Sequence, residues 1–171
     1  MSQAPLMIQR SCRIPVPVAE CFSAFTRLQP QEYIHSDAVI APITNIEMIR
    51  GETFREVGDV QRITFKDGAV IEEELLAFVP NRQFVYRGTG FRQPLLNWLD
   101  HAKGSFEFEQ QGEETVLTWR YLFYLKDGVG MVAKRAVFNT VVVKLIWHRL
   151  MSKTLSNLRQ IITLRTLNSG K

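Results

Sequence analysis

Apolar and polar residues alternate through most of the first 125 residues, which is the period of strands that bury one face. In residues 114–125, for example, Leu117, Trp119, Tyr121 and Phe123 fall on the same side. Turn signals separate the alternating runs, and Asp67-Gly68 is the strongest of them because this dipeptide is typical of tight hairpins. The pattern predicts strands at residues 6–14, 44–52, 58–66, 69–79, 82–90, 104–110 and 114–125, with residues 91–103 as a loop.

Two other parts of the chain have apolar residues three or four positions apart, which is typical of helices with one buried face. The first follows Pro17 and carries Val18, Cys21, Phe22 and Phe25; Pro30 ends it, and the segment QEYIH adds a further turn. The second runs from Asn139, a suitable N-cap, to Leu164 without Gly or Pro. Its predicted apolar stripe is Val141, Leu145, His148, Met151, Leu155, Leu158 and Ile162.

The order of these elements predicts the fold class. Strands that follow one another through short turns form an antiparallel sheet, and one face of such a sheet needs a cover. The final helix is the only predicted element long enough to provide it. We therefore expect a single α+β domain over residues 1–171, with its core at about 8–165.

The composition indicates an apolar interior and argues against a metal or cofactor site. Aromatic residues make up 11% of the chain, with eleven Phe, which indicates a thick core or an apolar cavity. Cys12 and Cys21 are interpreted as buried free thiols, and His35, His101 and His148 share no ligand spacing with them, so neither a metal nor a cofactor is predicted. The chain has no signal-peptide pattern and no uninterrupted apolar run of membrane-spanning length, and we expect a cytoplasmic protein.

Basic residues concentrate at the end of the chain, where nine Lys or Arg follow residue 125 against one acid, Asp127. The preferred interpretation is a helix with solvated charges lying across an acidic sheet, with no nucleic-acid partner and no stable membrane insertion. Peripheral binding to anionic membrane through Lys144, Arg149 and Lys153 is the alternative. The oligomeric state is left open, a homodimer included.

Three segments carry a resemblance to a known family. Residues 13–26 read RIPVPVAECFSAFT, an opening strand that runs into a helix; residues 72–88 read EEELLAFVPNRQFVYRG, with a Pro-centred turn; and residues 112–125 read GEETVLTWRYLFYL. Over about residues 8–165 the chain resembles the START-like, or SRPBCC, superfamily of the helix-grip fold, in its polyketide cyclase/dehydrase-like branch. The resemblance implies a curved antiparallel sheet of about seven strands wrapped round the last helix. It also implies an apolar cavity that takes lipids, hormones, sterols, polyketides or similar molecules, with some members being cyclases or hydrolases.

Glu73 is the main candidate for a polar group inside such a cavity, because it shares the more apolar face of its strand with Ile71, Leu75 and Ala77. A two-residue turn at Asp67-Gly68 places Arg62 opposite Glu73, whereas a three-residue turn with Gly68 as a bulge leaves Glu73 alone. An unpaired buried carboxyl has a raised pKa and can act as an acid or a base. A solvated carboxylate at the sheet edge is the alternative.

Other candidates lie on neighbouring strands and on the final helix. Tyr86, Tyr121 and His148 are predicted to orient a ligand together with Glu73 and Arg62, and Phe84, Trp119 and Leu145 to supply apolar contact. Plain core packing is the alternative for each of them.

These observations predict a binder of a hydrophobic small molecule. The first alternative is an enzyme of the cyclase or dehydratase kind that acts by proton transfer on a polyketide-like carbonyl compound. The second is a peripheral lipid carrier on anionic membrane.

Overall fold

The computed structural model describes residues 4–128 and 130–169, and their strands form a single seven-stranded sheet. The strands lie in the order β1-β7-β6-β5-β4-β3-β2, and each neighbouring pair is antiparallel. Their bounds are β1 Leu6–Ile14, β2 Ile43–Arg50, β3 Val60–Phe65, β4 Val70–Val79, β5 Gln83–Thr89, β6 Leu99–Gln111 and β7 Glu114–Leu125. The predicted α+β helix-grip fold is confirmed, since strands β2 to β7 pair in chain order and β1 pairs with β7.

The helices occupy three places in the chain. Helices α1 (Val18–Phe25) and α2 (Pro30–Tyr33) follow β1, and a 3-10 helix at Leu96–Trp98 precedes β6. The long final helix consists of α3 (Met131–Phe138), a π-helical segment (Asn139–Trp147) and α4 (His148–Ser169). No helix within residues 4–128 and 130–169 combines the length and the apolar character needed to cross a membrane.

The final helix begins eight residues earlier than the sequence predicts, so Asn139 is an interior residue and not its N-cap. Gly130 occupies the N-cap position with φ of +75°, a left-handed conformation that glycine adopts without strain. Since Gly130 redirects the backbone, the helix starts directly after it. At its other end the helix continues past Leu164 to Ser169.

The π-helical segment changes which side chains of the final helix face the sheet. Its i→i+5 hydrogen bonding adds residues to each turn, so the buried positions advance from Phe138 to Val142 and then to Trp147. Leu145 is 63% exposed and His148 also faces solvent, so the predicted inward orientation of both is wrong. After the π-helical segment the predicted stripe is correct, because Met151, Leu155, Leu158 and Ile162 are all buried.

Strand β6 also begins earlier than predicted, at Leu99, so His101 lies in a strand and not in a loop. An irregularity in the pairing with β7 lies between Leu99 and His101, and polar residues then alternate with the buried Ala102 and Gly104. Because the first residues of β6 are mostly small or polar, the sequence does not show the apolar alternation of a strand here. His101 stacks on Tyr124, with ring centroids 4.2 Å apart.

The two cysteines are free, as predicted; Cys21 is buried, whereas Cys12 is only half-buried. Burial is the main cause that raises the pKa of the Cys12 thiol to about 11 and that of Cys21 to about 12. Both are therefore protonated and unreactive near neutral pH.

Candidate functional site: a pocket between the sheet and the final helix

A pocket of about 560 Å³ lies between the inner face of the sheet and the final helix. This volume is within the range of about 300–1,000 Å³ that is usual for small-molecule sites. The final helix contributes Val142, Ile146, Trp147 and Leu150 to its wall. The sheet contributes Ile43, Ile46, Met48, Gln61, Ile63, Phe65, Ile71, Glu73, Phe78, Phe84, Tyr86, Phe106, Trp119 and Tyr121. The remaining wall comes from α1, α2 and the segments around residues 39–41, 52–55 and 93–96.

Aromatic side chains form one wall of the pocket because alternate residues of β5, β6 and β7 point to the same side of the sheet. Phe106 stacks on Trp119 with centroids 5.0 Å apart, and Tyr86 meets Tyr121 edge-on at 6.3 Å. Tyr121 also lies 5.3 Å from the ring of Trp147, which comes from the final helix. This last contact joins the sheet to the helix at the pocket.

Gly104 makes room for the ring of Tyr86 in this wall. It pairs with Tyr86 on one side and with Tyr121 on the other, so the three residues form a row across β5, β6 and β7. A Cβ atom at Gly104 would lie 2.3 Å from Cζ of Tyr86 and 2.4 Å from its hydroxyl oxygen. The tyrosine ring therefore lies over a position where only glycine fits.

Glu73 lies on the pocket wall opposite Gln61, whose side-chain amide donates a hydrogen bond of 2.8 Å to the carboxyl group. Burial raises the pKa of Glu73 to about 7, and the hydrogen bond from Gln61 opposes this rise only in part. The side chain retains some exposed surface because it faces the pocket, while the protein separates it from bulk water. Near neutral pH the carboxyl group is therefore present in both its neutral and its ionised form.

Three tyrosine hydroxyls share the pocket with Glu73. Burial raises the pKa of Tyr33, Tyr86 and Tyr121, and the charge of Glu73 contributes to the rise in all three. Within residues 4–128 and 130–169, no formed hydrogen bond engages any of the three hydroxyls. The indole Nε1 of Trp119 has no acceptor within bonding distance, yet it lies close enough to Tyr86 to oppose the rise of its pKa. We call Glu73, Tyr33, Tyr86 and Tyr121 the hydroxyl cluster.

Five of the eight predicted site residues line this pocket and three do not. The five are Glu73, Phe84, Tyr86, Trp119 and Tyr121, whose role in ligand binding stays a prediction. The inward placement of Arg62 is wrong, because the turn has three residues, Lys66 to Gly68, and pairs Arg62 with Glu72. Arg62 contacts Glu72 at 2.8 Å and Glu47 at 3.1 Å on the outer face of the sheet. Leu145 and His148 point away from the pocket because of the π-helical segment described above.

Sequence reasoning missed Tyr33, Gln61 and Trp147. Tyr33 lies in the short turn QEYIH, whose contact with the pocket depends on how α2 packs. Gln61 precedes the inward-facing Ile63 by two residues, and this alternation was the signal that could have identified it. Trp147 precedes the buried Met151 by four residues, and this helical spacing was the signal that could have identified it.

Comparison with known proteins identifies the family of the chain. The sequence model described as "Polyketide cyclase / dehydrase and lipid transport" matches residues 6–163. The chain belongs to this family. A search of curated proteins finds no sequence match.

Solved structures share the helix-grip fold of this member of the polyketide cyclase/dehydrase and lipid transport family. Norcoclaurine synthase from Thalictrum, a point mutant in complex with a transition-state analogue, has a TM-score of 0.67 at 12% identity, covering 97% of this chain and 99% of that one. Ara h 8.0201 has a TM-score of 0.59 at 14% identity, covering 92% and 97%. The di-domain ARO/CYC StfQ from the steffimycin biosynthetic pathway has a TM-score of 0.66 at 14% identity, covering 95% of this chain and 52% of its own. At these identities the likeness establishes the fold alone.

Proposed function

We propose that this protein binds a hydrophobic small molecule in the pocket between the sheet and the final helix. The observation that carries the proposal is the pocket itself: about 560 Å³ of space whose walls are mainly aliphatic and aromatic side chains. The family description, which names polyketide cyclases, dehydrases and lipid transport, supports a guest of this kind. The solved complex of norcoclaurine synthase with a transition-state analogue supports it further.

In this proposal the pocket residues have two roles. Phe84 and Trp119 provide apolar contact, since burying apolar surface contributes about 25 cal/mol per Å². Glu73, Tyr86 and Tyr121 fix the orientation of the guest, because they carry polar groups on the sheet side of the pocket.

The test is a titration with the neutral apolar dye N-phenyl-1-naphthylamine, whose fluorescence rises in an apolar site. The unmodified protein should bind the dye with saturation. The Ile46→Trp variant should lose about tenfold or more in affinity, since Ile46 lines the pocket and a larger side chain there fills it.

Asn45→Trp is the matched control for this titration. Asn45 precedes Ile46 in β2, is exposed and does not line the pocket, so the dye should bind this variant as it binds the unmodified protein. Equal loss in both variants, or no saturable binding to the unmodified protein, would overturn the proposal.

A second candidate function is proton-transfer catalysis on a carbonyl compound. The observation that favours it is Glu73, a pocket carboxyl whose pKa of about 7 suits a general base at neutral pH. Ionised Glu73 would take a proton from the carbon next to a bound carbonyl group, and the C–H electron pair would form an enolate. Tyr86 and Tyr121 lie on the same wall and would donate hydrogen bonds to the enolate oxygen.

Deuterium exchange tests this second function. In D₂O the acetyl protons of 2-acetylphenanthrene should exchange faster with the protein present, at a rate that rises with pH through about 7 as Glu73 ionises. Glu73→Gln should lower the protein-dependent rate about 100-fold or more. Glu72→Gln is the matched control, since Glu72 pairs with Arg62 on the outer face of the sheet. With this variant the acetyl protons should exchange as fast as with the unmodified protein. Equal rates in the two variants would refute catalysis by Glu73.

A further inference from the structure

We propose that the guest of this pocket is a neutral apolar molecule that carries a carbonyl oxygen, and that the pocket discriminates against carboxylates. This inference rests on the proposed binding function and specifies the chemistry of the guest. Such a pocket would bind neutral ketones, lactones or quinones in preference to fatty acids and other anionic lipids. All of these molecules are apolar over most of their surface.

The first step of the argument is a surplus of hydrogen-bond donors in the pocket. Each hydroxyl of Tyr33, Tyr86 and Tyr121 has one O–H to donate, and none is engaged in a formed hydrogen bond within the described part of the chain. A guest that supplies acceptor oxygens can accept a hydrogen bond from each of these hydroxyls, and each bond formed in the pocket stabilises the complex.

The second step concerns the acceptors already present. Glu73 has its own donor, the amide of Gln61 at 2.8 Å, and so does not use the phenol hydroxyls in a formed bond. When Glu73 is protonated it adds a further O–H donor to the hydroxyl cluster. The cluster therefore matches a guest with more acceptors than donors, as a carbonyl compound has.

The third step is the distribution of charge around the pocket. Among the described residues that line it, Arg55 is the only Lys or Arg, and it is exposed and directed to the backbone carbonyl of Thr26 at 3.3 Å. Burial and the Gln61 hydrogen bond are the causes that set the pKa of Glu73, with no cation among them. A guest carboxylate at the hydroxyl cluster would lose its hydration, face Glu73 and find no buried counter-charge.

The test compares three phenanthrenes of one shape, each measured by displacement of N-phenyl-1-naphthylamine at about pH 8, where a benzoate-type carboxylate is fully ionised and Glu73 mostly so. The probes are 2-acetylphenanthrene, 2-ethylphenanthrene and phenanthrene-2-carboxylate. We expect the ketone to bind about 3- to 10-fold more tightly than the ethyl compound. The carboxylate should bind at least about 10-fold more weakly than the ketone.

Three variants test which side chains cause the preference for the ketone. In the double variant Tyr86→Phe/Tyr121→Phe, the affinity ratio of ketone to ethyl compound should fall towards one, because both rings remain while their O–H donors are lost. Tyr124→Phe is the matched control, since Tyr124 stacks on His101 and does not line the pocket, and it should keep the ratio. Glu73→Gln should narrow the gap between ketone and carboxylate, because it removes the repelling charge.

The outcomes separate this inference from the proposed function. If the carboxylate binds as tightly as the ketone, or the ketone no better than the ethyl compound, the inference is wrong while apolar binding stands. If the double variant keeps the full ketone preference, the hydroxyls of Tyr86 and Tyr121 are not its source and the inference is wrong. If none of the three probes displaces the dye, the proposed function fails and the inference fails with it.

Discussion

Among single residues, Glu73 combines burial, a raised pKa and a position on the pocket wall. Its neighbour Glu72 has the same chemistry, but it faces the other side of the strand and pairs with Arg62. The difference follows from the two-residue period of the strand together with the three-residue turn before it. Two adjacent carboxyl groups thus have different roles, one in the pocket and one in an ion pair.

Glu73 should make the stability of the protein depend on pH. Below about pH 4.5 the carboxyl is protonated in both the folded and the unfolded chain, so it has no effect. As the pH rises from 4.5 to about 7, the unfolded chain releases the proton first, and the free energy of unfolding falls. Relative to Glu73→Gln, the unmodified protein should lose about 2–3 kcal/mol across this interval and no more above it. Urea unfolding at a series of pH values measures this difference.

Glu72→Gln provides the comparison for that series, since it changes an ion pair on the outer face and leaves the pocket carboxyl in place. The pH dependence between 4.5 and 7 should persist in this variant. If the unmodified protein and Glu73→Gln show parallel curves over the same interval, then burial does not raise the pKa of Glu73.

Gly104 is predicted to be essential for the position of Tyr86. Gly104→Ala places a Cβ atom within 2.3 Å of the tyrosine ring, so the ring must move, and we expect a loss of about 1–3 kcal/mol in the free energy of unfolding. In a Tyr86→Ala background, Gly104→Ala should lower the free energy of unfolding much less, because the clashing ring is absent. Thermal or urea unfolding of the four proteins of this cycle measures the coupling. Equal losses in both backgrounds would mean that the ring contact is not the cause.

At the scale of elements, the final helix shows how far the sequence pattern reaches. Spacing of three and four residues predicts the buried face of α4 correctly at Met151, Leu155, Leu158 and Ile162. It fails at Leu145, which lies within the nine-residue π-helical segment, and at His148, which directly follows that segment. No side-chain pattern predicts this segment, so the exposure of Leu145 could be found only from the structure.

Neighbouring residues of the final helix test that assignment. Trp147→Ala should lower the free energy of unfolding by about 3–5 kcal/mol, because it removes a side chain packed between Tyr121 and Phe123. His148→Ala should change it by less than about 0.5 kcal/mol, since this side chain is exposed. Urea unfolding of both variants gives the comparison. A larger effect at His148 than at Trp147 would mean that His148 faces inward, as the sequence predicts, and that Trp147 does not.

The strands were predicted more accurately than the helix, for a physical reason. Residues 6–14 were assigned with the observed bounds, and the other strands within a few residues, because one buried face imposes strict alternation. The exception is the start of β6, where Asp100, Lys103 and Gly104 weaken the pattern. The register of β3 on β4 was left open, because it depends on the length of one turn.

For the whole molecule, the order of elements and the family resemblance were sufficient to predict the sheet closed by a long helix. They were not sufficient to predict the composition of the pocket, because Tyr33, Gln61 and Trp147 reach it from three separate elements. The pocket therefore arises from packing across the chain. Its aromatic walls and its hydroxyl cluster are properties that the strand pattern shows only in part.

The central claim is that an apolar guest occupies the space between the sheet and the final helix. A crystal structure of the protein soaked with 2-acetylphenanthrene tests it most directly. We predict density for the ring system between Phe84, Trp119 and Ile146, with the ketone oxygen at hydrogen-bond distance, about 3 Å, from the hydroxyl of Tyr86 or Tyr121. Density only on the outer surface, or side chains that fill the pocket completely, would contradict the account.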